Sequence, residues 1–245
     1  MVLRLPTIGG TKNCVTFIDH KSRFGRVYLV KTRDESLACL ENYVLLLRNF
    51  FHRNIKILRC DGAGEYISNE LRDFCNAHGI ELQHSEPHRP EQNGVAERFN
   101  RTIKETARSM LHSSNVPPTF WGYAVKHAVW VRNRLPHAYI NFQTPYDVFY
   151  GITDGRTETS IKPSLQLADL HPFGCAAFAY LPLHQKDLSA PRAVRGIFLG
   201  MDWQRKGFLL YRLDTHKVLT SEMGNKTTVT TVGVGPEGHQ SAPSS

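Results

Sequence analysis

Two carboxylates carry the strongest chemical signal in this chain. Asp61 ends the apolar run of "ILRCDGAGEY" and is followed at once by glycine, alanine and glycine. At the carboxyl end of a strand in an α/β sheet, small residues let backbone and bound ions approach closely, so Asp61 is placed as a metal ligand. With thirty-five residues between them, Glu97 sits in "PEQNGVAERFNRTIKE", where a proline- and glycine-bearing loop opens a helix. Carboxylates suit Mg²⁺ because that ion takes hard oxygen donors in octahedral geometry. The pair by itself has a competing reading, in which Asp61 caps the next turn and Glu97 is an acid on a helix surface. The helix after Glu97 also carries Arg98, Arg101, Lys104 and Arg108 at three- and four-residue intervals, with Phe99, Ile103, Ala107 and Met110 as a second stripe. One face is therefore core and one basic. Such a face predicts phosphate contact that weakens with salt and reads little sequence, against the alternative of an ordinary solvated surface. His84 and His88 have no cysteine partners and fall between strand and loop, so they read as polar loop residues rather than zinc ligands.

The elements that must position these side chains alternate between strand and helix. "CVTFID" and "GRVYLVK" are β-rich runs joined by the short polar "HKSRF", which predicts an antiparallel hairpin. Leu37, Leu40, Val44, Leu47 and Phe51 recur at helical spacing and predict an amphipathic helix over Glu35 to His52. "IKILRC" reads as a short buried strand, and residues 68 to 78 as a helix capped by Ser68 or Asn69 and stopped by Gly79. "IELQHS" is the next strand. "EPHRPEQNG" reads as loop, the helix bearing Glu97 runs from Val95 to about His112, and "PPTFWGYAVKHAVWVRNRL" supplies another helix after its prolines. Beyond residue 150 a polar linker leads to "FGCAAFAYL", "RGIFLGM", "GFLLYRL" and "HKVLTS", short strands at close intervals that predict a small antiparallel unit. Past Glu222 the chain is rich in threonine, glycine, proline and serine, which predicts disorder over 225–245.

Bulk composition sets the function classes. With 245 residues, 41% of them hydrophobic, the chain can bury one good core and a small second domain. Lys and Arg outnumber Asp and Glu by 30 to 22, a formal charge of +8, which favours polyanionic partners. Five scattered cysteines without a CxxC pair exclude a disulfide framework and a cysteine zinc site, and suit a reducing compartment. The opening "MVLRLPTIGG" lacks the apolar core of a signal peptide, and "YVLLLRNFF" is broken by Arg48, so no membrane role is expected and the location reads as nucleus or cytoplasm.

Taken in order, "FIDHKSRFG", "LRCDGAGEY", "PEQNGVAERFNRTIKE", "FWGYAVKHAVWVRNRLP", "TPYDVFYG", "FGCAAFAY" and "RGIFLGM" closely resemble the integrase of copia-type LTR retrotransposons. The likeness runs from about Gly9 to Glu222. It implies a ribonuclease H-like α/β core with a mixed sheet over 1–150, a linker over 151–170 and a small SH3-like β-barrel over 171–224. It makes Asp61 and Glu97 the second and third members of an Asp, Asp, Glu triad that holds two Mg²⁺ (or Mn²⁺) ions about 3.5 to 4 Å apart for in-line attack on a phosphodiester. The implied partners are DNA, as element ends and target, and further copies of the chain, with no small-molecule substrate. Arg101 and Lys104 correspond to positions that approach the element's DNA end, and Asn93, Arg98 and Arg108 join them in the group assigned to nucleic acid.

The first aspartate of that triad belongs, in the family, to an Asp-x-x-Gly-Pro motif on the first strand. Here no Asp or Glu occurs from Met1 to Ile18, so the likeness implies a core lacking its first strand and an incomplete metal site. "MVLRL" is the segment that would pair in its place. Asp19 matches the family's "FIDD" strand rather than the metal position, Gly62 stands where asparagine is usual, and Glu91 where glutamine is usual. The expectation is an integrase fragment that is inactive as a lone chain. Two other readings stand beside it: a nucleic-acid-binding module without metal chemistry, and a nuclease or integrase completed by Asp19 or by another chain.

Overall fold

The computed structural model describes residues 5–60, 68–84, 90–114, 116–152, 170–180, 193–202, 207–222 and 228–229. The chain divides into two compact units, Met1–Ser109 with Pro117–Leu165, and Met110–Val116 with Gln166–Ser245.

In the first unit, β1 (Asn13–Ile18) and β2 (Gly25–Val30) form the expected antiparallel hairpin, with Asn13 opposite Val30 and Ile18 opposite Gly25. Asp19 shapes the turn: its Oδ2 accepts from the Ser22 amide at 2.7 Å and the Ser22 hydroxyl at 2.6 Å. Arg23 adopts a positive φ of 63° and lays its buried guanidinium 3.6 Å above the Tyr139 ring. The start of β2 is held on its outer side by one side chain. Asn133, fully buried just past α4 (Trp121–Arg132), accepts from the Gly25 amide at 2.8 Å and donates to the Gly25 carbonyl at 2.7 Å. A Cβ on Gly25 would lie 2.1 Å from the Phe99 ring, so no other residue fits there.

α1 (Ser36–Phe51) has the predicted apolar stripe, with Leu40, Tyr43, Val44 and Leu47 buried. β3 (Ile57–Cys60) and β4 (Glu81–His84) pair in parallel, joined by α2 (Asn69–Ala77), whose first turn is capped by the Ser68 hydroxyl accepting from the Leu71 amide. Gly79, at a φ of 64°, follows the helix as predicted. Leu40, Val44, Cys75 and Ile80 form a core against which Phe17 of β1, Leu58 of β3 and Leu82 of β4 all pack. Antiparallel and parallel strands are thus both present, as a mixed sheet requires. Among the described residues, however, β1 pairs with β2 alone and β3 with β4 alone. "MVLRL", expected to pair beside them, lies outside the described residues except for Leu5.

α3 runs from Pro90 to Ser114. It opens five residues before the predicted start at Val95, so part of the segment read as loop is helix. Proline is compatible with a first helical turn, where its missing N–H has no intrahelical role, and composition alone undervalued that. α5 (Pro145–Tyr150) completes the unit, capped by Thr144, whose hydroxyl accepts from the Asp147 amide.

The second unit holds a five-stranded antiparallel sheet in the order β8-β7-β6-β5-β9, built from β5 (Ala176–Tyr180), β6 (Ala193–Asp202), β7 (Gly207–Arg212), β8 (Val218–Glu222) and β9 (Thr228–Val229). Phe198, Leu199, Leu210 and Ala177 form its core. β9 falls inside the stretch expected to be disordered: Thr228 and Val229 pair with Phe178 and Ala177. Low-complexity composition misses this, because an edge strand needs backbone partners more than apolar side chains. No helix among the described residues is long and apolar enough to cross a membrane.

Asn133→Ala would leave both polar groups of Gly25 buried without partners. It is expected to cost about 2 to 4 kcal/mol of unfolding free energy, measured by urea titration with near-UV circular dichroism. A loss below about 0.5 kcal/mol, the size of an inconsequential surface change, would mean that Asn133 does not hold the hairpin.

Candidate functional site

A cleft of about 480 Å³ opens in the first unit between β1 and β3. One wall is Thr16–His20, the other Asn54–Arg59, with Tyr43 and Leu47 of α1 beside them and Val95 and Ala96 of α3 at its border. Tyr43 stacks on Phe17 with ring centroids 5.1 Å apart. Burial pushes the Tyr43 hydroxyl far above its ordinary pKa, and the Asp19 carboxylate pushes it further. That hydroxyl therefore stays protonated, while Asp19, Arg53, Lys56 and Arg59 bring charge to the same cleft.

α3 is set against the hairpin by three buried side chains, Phe99, Ile103 and Ala107, and by the Thr16 hydroxyl donating to Asn100 Oδ1 at 2.9 Å. Residues on the opposite side of the helix then face outward. Glu97 does so immediately after the two cleft-lining residues, and its carboxylate is exposed with no hydrogen bond or ion pair among the described residues. Arg98, Arg101, Lys104 and Arg108 are exposed as well, and likewise unengaged among the described residues. Glu105 is the other acid exposed between them, so cations outnumber acids on this face. The guanidinium of Arg98 folds back to about 3.5 Å from the place where a Gly94 side chain would begin. Asn93 is within α3, but its side chain lies outside the described residues.

Asp61 lies outside the described residues, as do Gly62, Glu65 and His88. What the structure does place is Cys60, the last residue of β3 and Asp61's chain neighbour, paired in register with His84. Arg59 of the same strand lines the cleft that Val95 and Ala96 border. The end of β3 and the turn bearing Glu97 thus bound one space. Burial pushes the Cys60 thiol up, which keeps it protonated rather than a thiolate ligand near neutral pH.

Glu97 fits a hard divalent cation, since its carboxylate is exposed and makes no hydrogen bond or ion pair among the described residues. Asp19 fits less well as a substitute ligand: it lines the cleft, but Oδ2 is committed to Ser22. Among the described residues no three His, Cys, Asp or Glu side chains gather as a metal cage.

Sequence reasoning did not find Thr16, Asn100 and Asn133, because each acts through a contact with residues 84 to 108 positions away. The aromatic residues around Arg53 and Arg134 are only partly core. Trp130 is buried, and Arg134 lies between it and Tyr146, 4.3 Å and 4.4 Å from their ring centres. Burial draws the Arg134 pKa down to about 10. Arg53 lines the cleft and donates to the Phe149 carbonyl at 2.6 Å, while Phe50 is 76% exposed.

Comparison with known families matches residues 1–90 and again 78–117 to the family described as "Integrase core domain", and residues 175–223 to the "Retroviral polymerase SH3-like domain". The chain is 35% identical over 219 residues to a retrovirus-related Pol polyprotein from transposon TNT 1-94 of Nicotiana tabacum, covering 89% of this chain and 16% of that one. It is 29% identical over 207 residues to the corresponding polyprotein from transposon RE2 of Arabidopsis thaliana, covering 84% of this chain and 13% of that one. The chain therefore spans less than a fifth of the curated relatives it matches. Among solved structures, an intasome of simian T-cell lymphotropic virus aligns at a TM-score of 0.47 and 16% identity, over 85% of this chain and 69% of that one. The HTLV-2 integrase catalytic core domain in complex with magnesium aligns at 0.42 and 20%, over 54% and 81%.

Because the exposed Glu97 side chain makes no hydrogen bond or ion pair among the described residues, Glu97→Gln is expected to change unfolding free energy by less than about 0.5 kcal/mol, while Thr16→Val, which strips Asn100 of its partner, costs about 1 kcal/mol. Parallel urea melts distinguish them, and equal costs would contradict this division between held and free faces.

Proposed function

The chain belongs to the copia-type retrotransposon integrases, an integrase core domain followed by a retroviral polymerase SH3-like domain, and on that premise we propose that it is the DNA-engaging part of a DNA-integration enzyme. In this reading the core occupies residues 1–150 and the SH3-like unit 171–224. It works on DNA in the nucleus or cytoplasm, as one of several copies gathered on paired element ends.

The observation that carries the reading is the shared cleft: the end of β3 and the helix turn of Glu97 border one space, beside an exposed basic face. Asp61 and Glu97 are the residues that hold the metal. A Mg²⁺ or Mn²⁺ ion bound there supplies Lewis-acid activation of a water or 3′-hydroxyl and charge stabilisation at the phosphodiester. Glu97 presents its oxygens from a helix whose position is fixed by Phe99 and Asn100, so it needs no rearrangement to face a ligand. Arg98, Arg101, Lys104, Arg108 and Asn93 receive the DNA backbone along α3. The basic side chains there are unengaged among the described residues, so phosphate contact breaks no ion pair among them.

With no acid before Asp19, and Asp19 engaged by its own turn, the 245 residues alone supply two of the three carboxylates that joining requires. The isolated chain therefore binds DNA without joining it. The engagement of Asp19 also gives weight to the second reading, nucleic-acid binding without metal chemistry.

Fluorescence anisotropy of a DNA duplex in EDTA, repeated over a range of salt, is expected to give a linear fall of log K with log salt. Arg101→Ala and Lys104→Ala should each reduce the slope by about 1. No salt slope would end the DNA-binding proposal. In a plasmid-joining assay with Mg²⁺ or Mn²⁺ the chain alone is expected to yield no joined product, and joining that survives Glu97→Gln would refute the assigned metal site.

A further inference from the structure

Arg23, in the turn between β1 and β2, carries a charge that the fold encloses and leaves unpaired. The residue is 8% exposed, and its Nε and Nη1 are buried without a hydrogen-bond partner. What covers it is the Tyr139 ring, 3.6 Å from the guanidinium carbon. A ring face attracts the cation but accepts none of the N–H donors that lie in the guanidinium plane. Asp19, the acid nearest in sequence, commits Oδ2 to the Ser22 amide and hydroxyl, and among the described residues no carboxylate pairs with Arg23. Taking a cation out of water without a counter-charge is costly, and a group left so in a folded chain calls for an anion or ordered water.

The surroundings of Arg23 are cationic. Tyr139 belongs to a loop over 137–143 that closes on itself: the His137 amide donates to the Gln143 carbonyl at 3.0 Å and the Phe142 amide to the His137 carbonyl at 3.1 Å. Within it Asn141 and Phe142 hold φ of 54° and 59°, a form that a bulky side chain adopts only where its surroundings impose it. The loop also fixes the His137 ring, whose Nδ1 accepts from the Tyr139 amide at 3.2 Å, so the neutral imidazole keeps its N–H at Nε2. Burial, then the charges of Arg132 and Arg23, push the His137 pKa below its ordinary value. Two guanidinium groups thus act on one imidazole. Arg132 is itself half-buried, makes no side-chain hydrogen bond or ion pair among the described residues, and has its pKa drawn down by burial. No Asp or Glu occurs from Arg132 to Tyr146, and the His20 ring lies 6.5 Å from that of Tyr139.

We propose that Arg23, Arg132 and His137 form an oxyanion site that takes one phosphate group. Two guanidinium forks and a neutral N–H donor exceed what the two oxygens of a carboxylate use, whereas a phosphate offers three or more oxygens and up to two charges. The phosphate is either free in solution or part of a nucleic-acid strand, for which the exposed rings of Tyr139 and Phe142 offer stacking surfaces. None of the three residues lies on α3 or lines the cleft beside Glu97, so the site stands independently of the metal and DNA contacts proposed above.

The test follows the arginine Nε–H resonances of the isotope-labelled 245-residue chain while inorganic phosphate replaces chloride at constant ionic strength and neutral pH. The Arg23 resonance, identified by its loss in Arg23→Lys, is expected to shift saturably with a Kd of about 1 mM, with a rise in thermal midpoint that chloride does not give. Arg132→Gln, checked for folding by circular dichroism, is expected to weaken this binding at least about tenfold, while Arg101→Ala and Lys104→Ala together leave it unchanged. A linear shift shared with chloride would overturn the proposal, as screening alone. No shift by about 50 mM phosphate would overturn it too, and assign water to Arg23. So would an unaltered titration in Arg132→Gln. An oligothymidylate of about eight nucleotides, read at the same resonance in the Arg101→Ala, Lys104→Ala chain, separates the sources. Binding at least about tenfold tighter than phosphate supports the site and assigns it to a nucleic-acid strand; weaker binding supports it as a site for free phosphate.

Discussion

Gly25 has neither room for a side chain nor a free backbone group, and three elements meet on it. Asn133 from the end of α4 takes both of its polar atoms, while Phe99 from α3 fills the volume that a Cβ would need. This satisfies the outward-facing backbone at the start of β2 without a further strand. It also sets the rotation of α3. Once Phe99 points at β2, and Asn100 at Thr16, the helical period leaves Glu97, Arg98 and Arg101 facing away from the core. The direction of the candidate catalytic acid is thus decided by a glycine more than seventy residues earlier in the chain.

Stability and function are divided along the same helix. Phe99, Ile103 and Ala107 supply burial, the term that dominates folding. The charged residues between them make no internal partnerships among the described residues, so they are free to meet a polyanion without cost to the fold. The acids nearer the cleft differ. Asp19 is built into the turn through Ser22 and acts on Tyr43 by its charge, which makes it a structural residue at a functional border. Beneath the cleft, Phe17 of β1 and Leu58 of β3 pack on the same core as α1, although among the described residues the two strands do not pair with one another.

The chain order of elements was legible because it rests on local periodicity. The stripe from Leu40 to Leu47 and the alternation in "CVTFID" specify helix and strand with no tertiary input. Composition failed where backbone pairing or helix geometry overrode it. Pro90 begins a helix that looked like loop, and Thr228 and Val229 add a strand in a stretch that looked unstructured. At the site, Glu97 and the basic face were readable from spacing on one helix. Thr16, Asn100 and Asn133 were not, since a single threonine or asparagine has no periodic signature and gains meaning only from what reaches it.

The sequence by itself determined the element types, the integrase likeness carried by the motifs around Asp61 and Glu97, and the amphipathic split of α3, all of which follow from residue type and near-neighbour spacing. Only the tertiary structure decided that one core underlies both β1 and β3, that Asp19 Oδ2 holds its own turn, and that the turn of Glu97 borders the cleft beside β3. Those outcomes depend on backbone hydrogen bonds and close packing between segments far apart in the chain, where the free energy of a contact belongs to the pair and is written in neither residue alone.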